Sequence, residues 1–206
     1  TVALTSAANV AAMAPNLTAS ESVLSALIAR AGVALARHCG YPPASVGAAP
    51  TMESATYTLF GDSYQVRRHS GRVLVVEPYP VIDVTSIHDD PDEVYGSATL
   101  VASSDYYKRG DHHEVIVLGL NAIHGGWSTT ERAVKIVFVA GFSTVPSDLE
   151  AAAIEYVLHL LNLRDRRGVA NVSSPDGLNT SYRDETIPAH VAQLLEPYLL
   201  PSRYIP

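Results

Sequence analysis

The sequence has little of what several protein classes require. One cysteine, Cys39, in 206 residues excludes an internal disulfide framework and fits a reducing cytosol during synthesis. Charged residues make up 17% of the chain and the formal net charge is −7. The one dense basic run, Arg164, Arg166 and Arg167, is interrupted by Asp165, so the clustered cations that grip DNA phosphates are lacking. The composition therefore argues against a DNA-gripping protein.

Long apolar runs are also missing. No segment approaches the roughly 18 uninterrupted apolar residues of a membrane span, so we expect no membrane insertion. The first 14 residues are small and apolar but lack the basic start and long apolar core of a signal peptide, and we expect none. The apolar share of 47% is that of a globular protein. A chain of about 200 residues buries enough surface to fold without disulfides or metals.

The N-terminal region, residues 1–54, predicts one strong helix over about 19–39. Thr18 and Glu21 have the spacing of a capping box, in which each side chain satisfies a main-chain N–H of the other. Gly40 is a typical stop after such a helix. Apolar residues follow the capping box at three- and four-residue steps, the period of one helical face: Leu24, Leu27, Ile28, Ala31 and Leu35.

The middle region, about residues 55–142, predicts strands. Short runs rich in β-branched and aromatic residues are separated by clusters of Gly, Pro, Asp and Ser. With no helical pattern between them, the runs favour an inserted antiparallel β-sheet or small barrel. The predicted strands are Thr56–Phe60, Val73–Val76, Val81–Ile87, Glu114–Leu120 and Ala133–Ala140.

The C-terminal region, residues 143–206, returns to helix. A helix over about 148–167 carries two apolar stripes, so it needs a cover on two sides. The second stripe, Ile154, Leu158 and Leu161, is the candidate subunit interface. Residues 169–187 have no periodicity and predict a structureless loop. A last helix over about 188–199 should kink or end at Pro197, which has no N–H for the Gln193 carbonyl.

No group of residues predicts catalysis, a cofactor or a metal. The strongest metal-like cluster is Asp111, His112, His113 and Glu114, but adjacent histidines on a strand point to opposite faces. The acidic run Asp89–Glu93 lacks the spacing of a calcium loop and predicts a solvated loop. Cys39 lies at a helix C-terminus, where the dipole disfavours a thiolate, and we expect a small buried filler.

Three parts of the chain carry a resemblance to a known family. They are the opening helix Thr18–Gly40; the strand pair Val75–Val81 and Val84–Ile87; and Val137–Phe142 with Val145–Leu149, the long helix and a closing Ile187–Tyr198. In this order they resemble the head–tail connector (adaptor) proteins of long-tailed bacteriophages and gene-transfer particles. The middle region is longer and richer in strands than in the compact helical members of that family.

The resemblance implies a structural, non-enzymatic protein of the virion neck. We expect residues 1–206 to form a single α+β adaptor domain, assembled in the host cytoplasm into a ring, twelvefold to match the portal protein. The ring would receive a stopper or tail-completion protein on its other side, and genomic DNA would pass through without sequence-specific binding. Family members reach the portal with their C-terminal segments, which nominates Leu194, Leu195, Tyr198, Leu199, Leu200, Tyr204 and Ile205.

Three alternatives stay open at this point. Another neck or tail-completion protein would share ring assembly but face a different partner. A metal-dependent hydrolase would use the Asp111–Glu114 cluster and would carry stoichiometric metal. A host-side binding module would stay monomeric even when the portal is present.

Overall fold

The computed structural model describes residues 3–16, 18–62, 66–68, 71–110, 114–118, 126–165, 171–173, 179–181 and 187–201. They divide into two compact units. The helical unit comprises residues 3–35 and 145–198, and the β unit comprises residues 36–144 and 199–201. These units cut across the three segments predicted from the sequence, and the single-domain assignment of residues 1–206 stays a prediction.

The described residues form an α+β structure, which confirms the predicted fold class. The helices are α1 (Ala7–Met13), α2 (Glu21–Cys39), α3 (Ser147–Asp165) and α4 (Ala189–Leu195), with 3₁₀ turns at Ser97–Thr99 and Glu196–Tyr198. Helix α1 was not predicted, because seven residues are too few to establish a period. Its start is capped by Ser6, whose hydroxyl accepts from the Asn9 N–H at 3.1 Å.

Helix α2 agrees with its prediction except at its first turn. It begins at Glu21, and the carbonyl of Ser20 accepts from the N–H groups of Val23 and Leu24. Ser20 therefore occupies the position before the helix, and the capping box expected from Thr18 is wrong by two residues. The other end is as predicted. Gly40 has φ of 86°, and its N–H bonds the carbonyl of Arg37 at 3.2 Å, which closes the helix.

Among the described helices, α2 is the one long and apolar enough to cross a membrane, judged by length and composition only. A core helix passes the same test. One stripe of α2, with Leu24, Ile28 and Leu35, is buried within the protein, whereas Arg30 and Arg37 are exposed. This is the pattern of an amphipathic core helix.

The strands form antiparallel sheets, as predicted. A three-stranded sheet has the order β1-β7-β4, a four-stranded sheet the order β2-β3-β6-β5, and β8 pairs with β9 in a separate hairpin. The bounds are β1 (Ala55–Phe60), β2 (Val66–Arg68), β3 (Val73–Val76), β4 (Val81–Asp89), β5 (Tyr106–Gly110), β6 (Glu114–Leu118), β7 (Val134–Ala140), β8 (Asn171–Ser173) and β9 (Asn179–Ser181). Strands β2 and β5 were not predicted, because Lys and Arg interrupt their apolar pattern.

One hydrophobic cluster joins the two larger sheets. Strand β7 alternates fully, with Val134, Ile136, Phe138 and Ala140 buried and the residues between them half-buried. The four-stranded sheet contributes Leu74, Val76 and Ile116 to the same cluster. Trp127 completes it, and its indole N–H donates to the carbonyl of Arg72 at 3.0 Å. The β unit is therefore two sheets around one core.

The segment predicted to be structureless is not so throughout. Within residues 169–187, β8 and β9 pair in antiparallel register, with Asn171 opposite Ser181. The prediction of an entirely irregular loop is wrong for these residues. Strands of three residues show no detectable period, so the sequence gives no sign of this hairpin.

Candidate assembly interfaces

The predicted portal-binding residues divide between the two units. Leu194, Leu195 and Tyr198 belong to the helical unit, whereas Leu199 and Leu200 belong to the β unit. Tyr204 and Ile205 lie outside the described residues. Leu195 and Leu200 are both 0% exposed and are core residues of their units. Leu194, Tyr198 and Leu199 are half-buried, so part of each side chain is accessible to solvent. The portal contact itself stays a prediction.

Proline chemistry determines where α4 begins and ends. The Pro188 carbonyl accepts from the Ala192 N–H at 3.0 Å in the first turn. At the other end, the Gln193 carbonyl accepts from the N–H of Glu196, because Pro197 has no N–H to offer. The chain tightens into the 3₁₀ turn there, which confirms the predicted end of the helix.

A hydrogen bond within the helical unit holds Tyr198 in place. Its hydroxyl donates to the carboxylate of Asp148, in the first turn of α3, at 2.5 Å. This hydrogen bond holds the pKa of Asp148 below its ordinary value. Burial and the neighbouring carboxylate raise the pKa of Tyr198. The aromatic side chain is thus oriented before any partner binds.

Leu199 and Leu200 are anchored in the β unit by main-chain hydrogen bonds. The Leu199 carbonyl accepts from the Tyr79 hydroxyl at 3.1 Å, and the Leu200 N–H donates to the carbonyl of Cys39 at 2.8 Å. Cys39 is itself fully buried, as the sequence predicted. A truncation that starts at Leu199 would therefore remove core contacts.

The predicted subunit-interface residues are mostly covered within the chain. Ile154 and Leu161 are each 7% exposed, and Leu158 is half-buried. Helices α1 and α4 pack against α3 within the helical unit. The Asn9 amide on α1 donates to the Glu150 carboxylate on α3 at 2.6 Å. Leu158 is the member of the stripe with free surface left.

The acidic run at the end of β4 is the solvated loop that the sequence predicted only at Asp92 and Glu93, which are exposed. Asp89 and Asp90 are buried, at 8% and 4% exposed. The Asp90 carboxylate accepts from the N–H groups of Asp92 and Tyr95 at 3.0 and 2.7 Å. Burial raises the pKa of Asp90, but these hydrogen bonds outweigh it, so the pKa lies below its ordinary value. The carboxylate organises its own loop.

The residues of the alternative metal site are largely outside the described ranges. Asp111, His112 and His113 lie there, and Glu114 is the first residue of β6. Within the described ranges, no three His, Cys, Asp or Glu residues come together in a way that would hold a metal ion.

No protein-family model matches the sequence, and no curated protein matches it. Solved structures do match. A chain from the neck of an empty gene transfer agent particle, computed with C6 symmetry, has 18% identity and a TM-score of 0.56, covering 93% of this chain and 87% of that one. A chain from the virion of a native gene transfer agent particle has 21% identity and a TM-score of 0.51, covering 89% and 79%.

At these identities the likeness is one of fold, and it extends over most of the chain. The chain therefore shares its fold with a chain of the gene transfer agent neck, and the resemblance read from the sequence is confirmed at the level of the fold.

Proposed function

We propose that this protein is a head–tail connector (adaptor) of a virion neck, which forms a ring on the portal vertex and continues the DNA channel towards the tail. The observation that carries the proposal is the fold shared with a neck chain over 93% of the residues. A likeness limited to one of the two units would cover a much smaller share of the chain. The proposed role is structural, and it needs no catalytic residue or cofactor.

The C-terminal segment supplies the proposed portal contact. Leu194, Tyr198 and Leu199 keep partly free apolar surface next to anchored neighbours, and Tyr204 and Ile205 follow in sequence. Aromatic and Leu side chains held in fixed positions bind at a low entropic cost, because little motion is left to lose. Leu195 is a core residue of the helical unit and Leu200 one of the β unit, and each fixes the position of its neighbour in sequence.

Leu158 is the proposed contact with the next copy in the ring. It is half-buried, whereas the other two residues of its stripe, Ile154 and Leu161, are buried within the chain. A neck chain of this fold occurs in a particle computed with C6 symmetry, and a sixfold axis is compatible with six or twelve copies. The net charge of −7 suits a channel through which DNA slides, because cations would hold the phosphates.

Electron microscopy of the purified protein mixed with portal rings of the same particle tests the proposal. We expect an added ring of density at the narrow end of the portal, with one copy per portal subunit. A chain truncated after Pro201 should fold with an unchanged circular dichroism spectrum and dock more weakly. Leu194→Asp should weaken docking to the portal. Val46→Asp is the control for added negative charge, because Val46 is fully exposed and lies outside the C-terminal segment, and it should leave docking unchanged.

The other outcomes assign the protein elsewhere. Absence of added density, with binding to a different tail component, would make the protein another neck or tail-completion protein. A monomer with stoichiometric zinc or manganese would support the hydrolase alternative through Asp111–Glu114. A monomer without metal that ignores the portal would be a host-side binding module.

A further inference from the structure

The outer edges of the three-stranded sheet differ in how they are closed. Strand β4 forms one edge, and two register shifts interrupt its pairing. The Lys108 ammonium donates to the carbonyl of Val81, and the Val101 N–H donates to the carbonyl of Ile87 at 2.9 Å. Bulges and lysine side chains are the usual means of keeping an edge from pairing with another chain. The β4 edge is closed.

Strand β1 forms the opposite edge and has none of these features. The Gly61 N–H donates to the Val134 carbonyl at 2.7 Å. In an antiparallel pair, hydrogen-bonded residues alternate with residues whose main-chain groups point away from the partner strand. Counting back from Gly61, Leu59 and Tyr57 bond β7, so the N–H and C=O groups of Thr56 and Thr58 point away from β7. Among the described residues, no strand pairs with this edge. Both threonine side chains are exposed.

Charge also separates β1 from the other outer strands. Its sequence, residues 55–60, has no charged residue and no proline, and its pairing with β7 has no register shift. The outer strand β5 carries Lys108 and Arg109, both exposed, and the sequence of β2 contains Arg67 and Arg68. An uncharged, regular outer strand accepts a further strand without an electrostatic cost.

The β8–β9 hairpin is complementary to this edge. Its two strands pair only with each other among the described residues. A lone two-stranded hairpin is marginally stable in water, and a third strand stabilises it. Its strands, Asn-Val-Ser and Asn-Thr-Ser, are uncharged like β1. Among the described residues, the hairpin lacks a third strand, and β1 lacks a partner on its outer edge.

We propose that the β8–β9 hairpin of one copy adds to the β1 edge of a neighbouring copy, so that the three-stranded sheet continues across the subunit boundary. The inference rests on the proposed ring, in which head-to-tail contact brings two different surfaces of neighbouring copies together. The outward main-chain groups of Thr56 and Thr58 make the hydrogen bonds, as in other cases of strand addition.

Disulfide trapping tests the contact on the assembled ring. Chains with Thr58→Cys are mixed with tagged chains carrying Thr180→Cys or Val172→Cys, bound to portal rings and oxidised. Paired strands bring Cα atoms within the roughly 4.4–6.8 Å that a disulfide needs, so we expect a mixed dimer. The native Cys39 is fully buried and present in every sample. The matched control, Val46→Cys mixed with Thr180→Cys, should give no mixed dimer.

A proline variant tests the same edge without cysteines. Thr58→Pro removes an N–H that points away from β7, so the bonds of β1 to β7 are kept. We expect Thr58→Pro to leave the midpoint of unfolding unchanged. For trapping in this background the cysteine is placed at residue 56, and we expect the yield of mixed dimer to fall at least tenfold. Thr58→Val should keep the dimer. Thr58→Lys places a charge on the edge and should reduce the yield of mixed dimer. This variant replaces Thr58→Pro in the test if the proline variant does not fold.

The outcomes separate this inference from the proposed function. Rings on the portal with no mixed dimer, or with trapping unaffected by Thr58→Pro and Thr58→Lys, would overturn the strand addition and leave the adaptor role in place. Thr58→Cys chains that trap one another would replace it with an edge shared by two β1 strands. Absence of any ring would remove the proposed function, and the inference with it.

Discussion

The two units bury their apolar residues in different ways. In the β unit, residues from two sheets face one cluster, and along β7 the residues between the buried ones are half-buried. In the helical unit, α3 is covered by α1 and α4, so that residues on two stripes are buried. On α3, Leu158 and Leu163 are left half-buried. In the β unit, no described strand pairs with the outer edge of β1.

The two units therefore call for different signs of an assembly surface: apolar side chains on a helix, and main-chain groups at a sheet edge. Apolar side chains at helical spacing identified Ile154 and Leu161 as an interface, yet the chain covers both itself. Main-chain groups at a sheet edge carry no sequence signal, yet they are a strong template for pairing with another chain. If the proposed strand addition is correct, main-chain groups at a sheet edge identify an assembly surface that the apolar stripes do not.

The largest expected effect is in the core of the β unit. Phe138 is 0% exposed and stacks on Tyr57 with ring centroids 5.7 Å apart. Phe138→Ala should lower the free energy of unfolding by about 3–5 kcal/mol, because it removes buried surface and leaves a cavity. Denaturation followed by the fluorescence of Trp127, which lies in the same cluster, reports this unit. Val137→Ala, on the half-buried side of β7, is the control and should cost far less.

The second prediction concerns α3 and separates its core from its surface. Ile154→Ala should cost about 2–4 kcal/mol in denaturation followed by circular dichroism, because Ile154 is buried. Leu158→Ala should cost less than about 1.5 kcal/mol, since part of the side chain is already in water. Leu158→Asp should fold and yet weaken ring assembly. Equal losses for the two alanine variants would place Leu158 in the core and remove it as an interface residue.

A glycine comparison tests how closely the chain approaches itself beside the three-stranded sheet. Gly141 has φ of 104°, and an added Cβ would lie 2.4 Å from the carbonyl oxygen of Glu53. Gly47 has φ of 82° with nothing near its Cβ position. Gly47→Ala should lower the free energy of unfolding by about 1 kcal/mol, the strain of an alanine in the left-handed backbone conformation. Gly141→Ala should cost about 1–3 kcal/mol more, because a main-chain oxygen must move, and equal midpoints of unfolding would contradict this.

The smallest effect is the pH dependence of the Tyr198–Asp148 contact. Because the pKa of Asp148 is lowered in the folded protein, its contribution to stability is present above pH 4 and is lost as the pH falls through the folded pKa. Tyr198→Phe should therefore flatten the dependence of stability on pH below about pH 4. The loss at neutral pH should be under about 1 kcal/mol, since Asp148 is exposed and screened. Tyr107→Phe, at an exposed tyrosine, should leave the profile unchanged.

Much of the fold was predictable because its signals are local. Helix α2 has a five-residue apolar stripe and ends at Gly40, and β7 alternates over its whole length. The end of α4 follows from the missing N–H of Pro197. The short elements α1, β2, β5, β8 and β9 escaped prediction, because they have too few residues to establish a period or carry charges that interrupt it.

The candidate interfaces were predictable only in part. Leu195 and Leu200 look alike in sequence to Leu194 and Leu199, and all four suit a docking segment. The structure separates them, because Leu200 donates its N–H to Cys39, more than a hundred residues away, and is buried there. Asp89 looked solvated for the same reason, since its carboxylate accepts from the distant Ser128 N–H.

The sequence by itself determined the α+β class, the positions of the long helices and of five strands, and the resemblance that led to a neck fold. These follow from periodicity, caps and turn residues, which act over a few residues. Only the tertiary structure decided which apolar residues are covered and which sheet edge is open. Burial and edge status depend on neighbours that are distant in sequence, and a residue's type does not encode what will lie beside it.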